Sequence, residues 1–285
     1  MPYYDQYKNT NFTGGVYPNL YLVDDFGEVG NEEVELNLSI SPSSHGSQTI
    51  ETIKSIANHT VRPNLQIYKS NIIRNYDSLY PSKNIIEALF SVLILNTLKI
   101  GDILIANVET ESRVSTSLNG NSIITDKVCK DILLKLSKIG IIVIVPAGNH
   151  PLPIDDSDLA DMGDIIVVGS FKNLTPTTFK TSNRFSEKIT CFAEDRITIG
   201  ANIFTDTSAA TAQIAGFVMQ MQKYAKSQGS FLTPKEVKQI LKTMGDKINI
   251  SAIGVTIHNC NVPTWATVAT EIDRILPRPF GPAAP

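Results

Sequence analysis

The sequence predicts an α/β fold, a three-layer α/β/α sandwich with a mainly parallel central sheet. Short continuous apolar runs recur along the chain, segments of helical character separate them, and no internal stretch has the composition of a linker. Apolar runs without polar alternation are typical of strands buried on both faces, as in a parallel sheet. Alternating strands and helices favour right-handed βαβ units, which place helices on both faces of that sheet.

The predicted elements follow in chain order. Apolar runs predict strands at residues 20–23, 65–68, 103–106, 141–145 and 165–168, and the segments between them predict helices at 46–57, 82–98 and 125–136. A helix of very small residues follows Thr205, and its small side chains allow it to lie close to a sheet. The last predicted helix opens with Thr233, Pro234 and Glu236, which form a capping-box pattern, and it ends at Gly245.

Composition excludes several classes of function. The net charge is −3 and no basic cluster is visible, so neither a nucleic-acid partner nor a membrane surface is expected. No apolar run reaches the roughly 18–20 residues that a membrane span needs. The N-terminus lacks the pattern of a secretory signal, and three scattered cysteines favour a reducing compartment, so the expected localisation is cytoplasmic. No cofactor is expected.

Ser208 marks the point where a polar loop becomes the small-residue helix. A helix N-terminus offers free backbone N–H groups and the positive end of the helix dipole, a setting suited to developing negative charge. Taken alone, the serine is explained equally well as an ordinary residue opening a buried helix.

Three other polar positions change that balance. Asp24 follows an apolar strand, His45-Gly46 opens a helix, and Asn149 follows another strand, which gives the chain order Asp, His, Asn, Ser. Chymotrypsin-like and α/β-hydrolase enzymes have different orders. The chain resembles the subtilases, the subtilisin-like serine peptidases, from about residue 19 to 245. The family's His-Gly-Thr, Ala-Ala-Gly-Asn and Gly-Thr-Ser-Met-Ala motifs correspond here to residues 45–47, 146–149 and 206–210.

The resemblance implies a role for each of these residues. Ser208 would be the nucleophile and His45 its general base, because a serine hydroxyl is a poor nucleophile without an oriented base. The Asn149 side chain and the Ser208 backbone N–H would form the oxyanion hole. Asp24, the first polar residue after the strand, is favoured as the orienting acid. The family's Asp-x-Gly spacing instead favours Asp25, so this alternative stays open.

Family members bind an extended peptide against an exposed strand. The matching segment here is Asn107, Val108 and Glu109, which are the predicted substrate-binding residues. Glu109 stands where the family usually has glycine, and this difference favours small or basic side chains in the primary pocket.

Two features common in subtilases are not visible in the sequence. No acidic loop has the spacing of calcium ligands, so no metal site is expected, and Asp155 to Asp158 are interpreted as a solvated turn. No segment before Asp24 is interpreted as a folding propeptide, so the expectation is a form that folds unaided, a fragment, or a member that depends on a partner. The expected organisation is an N-terminal extension over residues 1–18, a peptidase domain over 19–250 and a C-terminal extension with a Pro-rich tail over 251–285.

The function implied is that of a serine endopeptidase with a peptide or protein substrate. One alternative is a catalytically silent protein of the same fold that binds peptides or partners. Another is a specialised processing or acyl-transfer enzyme that keeps the triad and directs the acyl-enzyme to an amine. The sequence leaves the oligomeric state open.

Overall fold

A parallel sheet forms the middle layer of the fold. The computed structural model describes residues 17–24, 44–57, 67–71, 83–94, 98–110, 121–149, 159, 161–172, 186–252 and 255–276. Within these residues the strands are β1 Leu20–Asp24, β2 Ile67–Asn71, β3 Ile103–Ala106, β4 Glu109–Thr110, β5 Asn121–Ser122, β6 Ile142–Pro146, β7 Ile166–Phe171, β8 Cys191–Glu194, β9 Arg196–Ile199, β10 Asn202–Thr205, β11 Asp246–Ala252 and β12 Val255–Val262.

In the described part of the chain the central sheet has six strands in the order β2-β1-β3-β6-β7-β8, and each neighbouring pair is parallel. Every residue of β1, β3, β6 and β7 is buried. This burial on both faces explains why these strands read as unbroken apolar runs in the sequence.

Helices cover both faces of the sheet. Those in the described residues are α1 His45–Ile56, α2 Lys83–Ile94, α3 Lys127–Lys138, α4 Asp206–Ser227, α5 Pro234–Thr243 and α6 Trp265–Ile275. Leu20 and Leu22 of β1 share one core cluster with α1 and α4, whereas Tyr21 and Val23 share the opposite cluster with α2 and α3. The predicted three-layer sandwich is therefore confirmed.

The helix α4 lies against α1 with the two N-termini side by side. A Cβ placed on Gly216 of α4 would come within 2.8 Å of Ile56 Cβ and 3.2 Å of the Ile53 carbonyl oxygen in α1. Gly216 follows Ser208 by eight residues, and Ile53 follows His45 by eight. The contact between Gly216 and Ile53 therefore lies about 12 Å along each helix. The first turns of α1 and α4 therefore lie side by side.

Local sequence signals explain most of the boundaries. Thr233 and Glu236 form the predicted capping box at the start of α5. That helix ends at Thr243, two residues before Gly245, which has a φ of 137°. The Asp126 side chain caps α3 by accepting a hydrogen bond from the Cys129 backbone N–H.

The strand β8 and two hairpins were not predicted from the sequence. The four residues of β8 end in a glutamate, so they form too short an apolar run to be recognised. The hairpins are β9 with β10 and β11 with β12. The predicted domain boundary at residue 250 falls within β11, and Val268 and Ile272 of α6 belong to the same core cluster as α4. The domain limits stay predictions.

Within the described parts of the chain, none of the helices combines the length and the apolar character needed to cross a membrane. In the same regions, no group of three His, Cys, Asp or Glu side chains is arranged to hold a metal ion.

Candidate active site

Polar side chains gather where β1, β3 and β6 end. Parallel strands end at one edge of a sheet, and the connections that follow the neighbouring strands β1 and β3 lead to helices on opposite faces, α1 and α3. Such a switch point opens a crevice that commonly binds ligands. Asp24 is the last residue of β1, Asn107 follows β3 directly, and Asn149 lies three residues beyond β6.

Asp24 and His45 are joined by a short hydrogen bond. Asp24 is fully buried, and its Oδ1 lies 2.5 Å from His45 Nδ1. A carboxylate accepts at Nδ1, so the proton of a neutral imidazole sits on Nδ1 and its lone pair on Nε2. The His45 side chain is 37% exposed, which leaves part of the ring open to solvent.

Two local features set the position of the His45 ring. Ser44 caps α1 by accepting a hydrogen bond of 3.2 Å from the Ser47 backbone N–H, which makes His45 the first residue of the helix. Phe204 of β10 contacts the imidazole edge-on, with ring centroids 5.2 Å apart and an interplanar angle of 80°. The imidazole thus contacts both a carboxylate and an aromatic ring.

Asn149 is turned toward the start of α4 after a tight bend. Gly148 has a φ of 99°, a conformation that favours glycine because a Cβ would be strained. The Asn149 Oδ1 accepts hydrogen bonds from the Thr207 backbone N–H at 3.1 Å and the Thr207 hydroxyl at 2.8 Å. A backbone N–H can only donate, so the amide oxygen must face Thr207 and the Nδ2 group points the other way.

Ser208 is the third residue of α4 and is 6% exposed. It follows the Thr207 that binds Asn149, and it begins the helix whose first turn lies beside that of α1. Its hydroxyl makes no hydrogen bond with any described residue. Asp24, His45, Asn149 and Ser208 therefore lie near the same edge of the sheet.

Asp206 stands at a position where the motif of the subtilases has glycine. Its φ is 70°, in the left-handed region where glycine is favoured and where aspartate is among the better-tolerated alternatives. The Asp206 N–H donates to the Asp195 carbonyl at 2.8 Å, and the Thr205 hydroxyl donates to Asp206 Oδ2 at 2.9 Å. The backbone shape that the motif requires is therefore retained.

The predicted substrate-binding segment leaves the sheet after β3. Asn107 and Val108 are buried, at 1% and 5% exposure, and Glu109 begins the two-residue strand β4. β4 pairs antiparallel with β5, with Glu109 opposite Ser122. The Asn107 backbone N–H donates to the Val23 carbonyl at 3.1 Å, so the start of this segment stays attached to β1.

Thr49 and Phe204 belong to the site but were not singled out in the sequence. The Thr49 hydroxyl donates to Asp24 Oδ2 at 2.8 Å, and Asn107 Nδ2 donates to that hydroxyl at 2.8 Å. Thr49 follows His45 by one helical turn, a spacing that places both on one helix face. That spacing is the signal that could have identified it. Phe204 is far from His45 in the sequence, and the two meet because of the tertiary fold, so no local pattern identifies the contact.

Four sequence interpretations concern residues outside the described part of the chain. They are Asp25 as the alternative orienting acid, the acidic segment 155–158, most of the N-terminal extension over 1–18, and the Pro-rich tail.

The three cysteines Cys129, Cys191 and Cys260 are free and buried. Burial raises the pKa of the Cys260 thiol to about 12 and holds the pKa of the other two thiols well above the usual range. Because the thiolate is the reactive form, these groups are poor nucleophiles at neutral pH. The neighbouring His258 does not alter this conclusion, since Cys260 stays protonated.

Comparisons with known proteins match the fold and not the sequence. No protein-family model matches the chain. No curated protein sequence matches it either. Solved structures do match it. A cold adapted subtilisin-like serine proteinase has 15% identity and a TM-score of 0.60, with 88% of this chain and 90% of that chain covered.

Two further similar structures are also named proteases. A lanthipeptide protease has 15% identity and a TM-score of 0.56, and the match covers 91% of this chain and 88% of that chain. The patellamide maturation protease PatA has 12% identity and a TM-score of 0.61, with coverage of 92% and 98%. The central sheet, its helices and these matches together identify the chain as a protein with the subtilisin-like protease fold.

Proposed function

We propose that the protein is a serine endopeptidase that cleaves peptide bonds with Ser208, His45 and Asp24. The observation that carries the proposal is the hydrogen bond between the buried Asp24 and His45 Nδ1, at the sheet edge where Ser208 opens α4. This bond leaves the Nε2 lone pair as the base that a serine hydroxyl requires.

In the proposed reaction His45 Nε2 takes the Ser208 hydroxyl proton as Oγ attacks the substrate carbonyl carbon. Asp24 stabilises the resulting imidazolium while remaining ionised. The imidazolium then donates its proton to the leaving amine, and the peptide is left as an ester on Ser208. Water, deprotonated by the same imidazole, hydrolyses the ester and restores the serine.

Asn149 is proposed to stabilise the oxyanion that forms in each tetrahedral intermediate. Thr207 holds the amide oxygen by two hydrogen bonds, and this orientation leaves Nδ2 to donate to a ligand. The Ser208 backbone N–H and the positive end of α4 would complete the oxyanion hole.

Replacing Asn149 with alanine is expected to lower kcat by about 10² to 10³ and to change KM little, since the amide acts on charge that develops only in the transition state. Steady-state kinetics on a peptide substrate measures both values. Thr207→Ser, which retains the hydroxyl that holds Asn149, is the control and should keep kcat. A large rise in KM with unchanged kcat for Asn149→Ala would mean that Asn149 binds substrate instead.

The peptide substrate is proposed to lie extended along the backbone of Asn107, Val108 and Glu109. In the described part of the chain, β4 uses one edge to pair with β5. The opposite edge would accept the peptide by strand addition. Side chains at alternate positions would then enter pockets, with Glu109 near the first of them.

A second candidate is a specialised peptide-processing enzyme that transfers the acyl group to an amine. Two similar structures are named a lanthipeptide protease and a patellamide maturation protease, which favours a role in processing a particular peptide. It uses the same triad and differs only in what attacks the acyl-enzyme.

Product analysis distinguishes these activities. An unstructured protein and a set of short peptides would be incubated with the purified protein, with and without an added amine nucleophile, and products identified by mass spectrometry. Products that gain one water identify a hydrolase, and products joined to the amine identify an acyl-transfer enzyme. The absence of both would contradict the proposal and would favour a silent peptide-binding protein.

A further inference from the structure

Thr49 holds the oxygen of Asp24 that His45 does not use. The Asp24 carboxylate is fully buried, with His45 Nδ1 on Oδ1 at 2.5 Å and the Thr49 hydroxyl on Oδ2 at 2.8 Å. The two partners lie one turn apart on α1, so a single helix contacts both carboxylate oxygens.

The Thr49 hydroxyl has one proton and two nearby acceptors. The His45 carbonyl oxygen is 3.1 Å away, and Asp24 Oδ2 is closer. A charged acceptor at the shorter distance makes the stronger hydrogen bond, so the proton is assigned to the carboxylate. The hydroxyl oxygen is then free to accept a hydrogen bond.

Asn107 supplies that hydrogen bond from the end of β3. Its Nδ2 lies 2.8 Å from Thr49 Oγ1 and 3.5 Å from the Ser208 carbonyl oxygen. Both oxygens accept a hydrogen bond here, so the Asn107 NH₂ group faces them and its carbonyl oxygen faces away. The side chain is 1% exposed, which excludes bulk solvent from this arrangement.

These contacts form a continuous connection between the proposed acid and the helix of the proposed nucleophile. The connection runs from Asp24 through Thr49 and Asn107 to the Ser208 carbonyl, and it bypasses the imidazole. It involves four segments: β1, α1, the residue after β3, and the first turn of α4.

We propose that Thr49, held by Asn107, is a positioning residue that acts through Asp24. By fixing Oδ2, it orients the carboxylate so that Oδ1 faces His45 Nδ1. The inference rests on the proposed function, because the orientation matters for catalysis only if His45 serves as the base. Neither residue contacts the reacting atoms in this proposal.

Kinetics of three threonine variants test the role. Thr49→Val removes the hydroxyl and is expected to lower kcat about 10-fold, the effect of losing one hydrogen bond to a charged group, with KM unchanged. Thr49→Ser keeps the hydroxyl and should retain kcat within about 2-fold. Thr52→Val is the matched control, because Thr52 is buried on the same helix and, among the described residues, its hydroxyl binds the Gln48 carbonyl alone.

A double-mutant cycle tests the part played by Asn107. If Asn107 acts through Thr49, Asn107→Ala should lower kcat, and adding it to Thr49→Val should lower kcat little further. Additive losses would overturn that part of the proposal. Equal kcat losses in Thr49→Val and Thr52→Val, or no loss in Thr49→Val, would overturn the positioning role.

Proton NMR gives a readout that needs no catalysis. The His45 Nδ1–H in a short bond to a carboxylate is expected to give a downfield resonance, assigned by its absence in His45→Gln. It should shift in Thr49→Val and stay in place in Thr52→Val and Thr49→Ser. An unshifted resonance in Thr49→Val contradicts the positioning role, whereas an inactive wild-type protein contradicts the proposed function alone.

Discussion

Replacing Ser208 with alanine is expected to lower kcat for peptide hydrolysis by about 10⁶-fold, the loss seen when a serine-protease nucleophile is removed. The proposed mechanism has no other group that can form the acyl-enzyme, since the three thiols are buried and protonated at neutral pH. A residual rate above the uncatalysed one is expected, because oxyanion stabilisation and substrate binding survive the substitution.

The folded state should tolerate this change. The Ser208 hydroxyl makes no hydrogen bond with a described residue, and alanine is a better helix former. Ser227→Ala, the same substitution at the exposed far end of α4, is the matched control and should leave kcat unchanged. Initial rates and thermal melts of the three proteins are the measurements. A Ser208→Ala protein that is folded and fully active would exclude the mechanism.

Replacing Asp24 with asparagine is expected to lower kcat at neutral pH by about 10⁴-fold. An asparagine amide N–H facing His45 Nδ1 would force the proton to Nε2, where no base remains for the serine. If the amide oxygen faced the ring instead, the imidazolium would still lose its charged partner. Both orientations weaken the base that Ser208 needs.

Two controls isolate this effect. Asp25→Asn tests the alternative acid left open by the sequence, and it is expected to change kcat at most several-fold. Asp102→Asn is matched for burial: Asp102 is 2% exposed and accepts hydrogen bonds from Asn19 and Lys99 just before β3 begins, at the opposite edge of the sheet. It should lower the melting temperature and leave kcat unchanged. If Asp25→Asn were the inactive variant while both proteins folded, the assignment of the acid would be reversed.

The sheet and its layers could be predicted because a strand buried on both faces of a parallel sheet is a continuous apolar run in the sequence. The apolar run ending at Asp24 predicted both the strand β1 and the polar residue at its end. Helix signals were equally direct, since Thr233 and Glu236 form the expected capping box. These features are formed by residues close together in the sequence, so local sequence patterns predict them.

Contacts between distant segments could not be predicted in this way. Asn107 and Thr49 are separated by 58 residues, and Asn107 and Ser208 by 101, so their meeting depends on how β3, α1 and α4 pack. The short strand β8 lacked a long enough apolar run. Asp206 can occupy the motif's glycine position because its backbone has a φ of 70°, and no sequence pattern predicts that angle.

The central claim is that Ser208 is a nucleophile activated by His45, and covalent labelling tests it most directly. A fluorophosphonate reacts with a serine whose hydroxyl is activated by a neighbouring base and leaves ordinary serines unmodified. The purified protein, His45→Ala and Ser227→Ala would each be treated with the reagent, and the modified residue located by peptide mass spectrometry. The account predicts stoichiometric labelling of Ser208 in the wild-type protein and in Ser227→Ala, with labelling lost in His45→Ala. A folded wild-type protein that takes no label, or takes it at a different serine, would contradict the account.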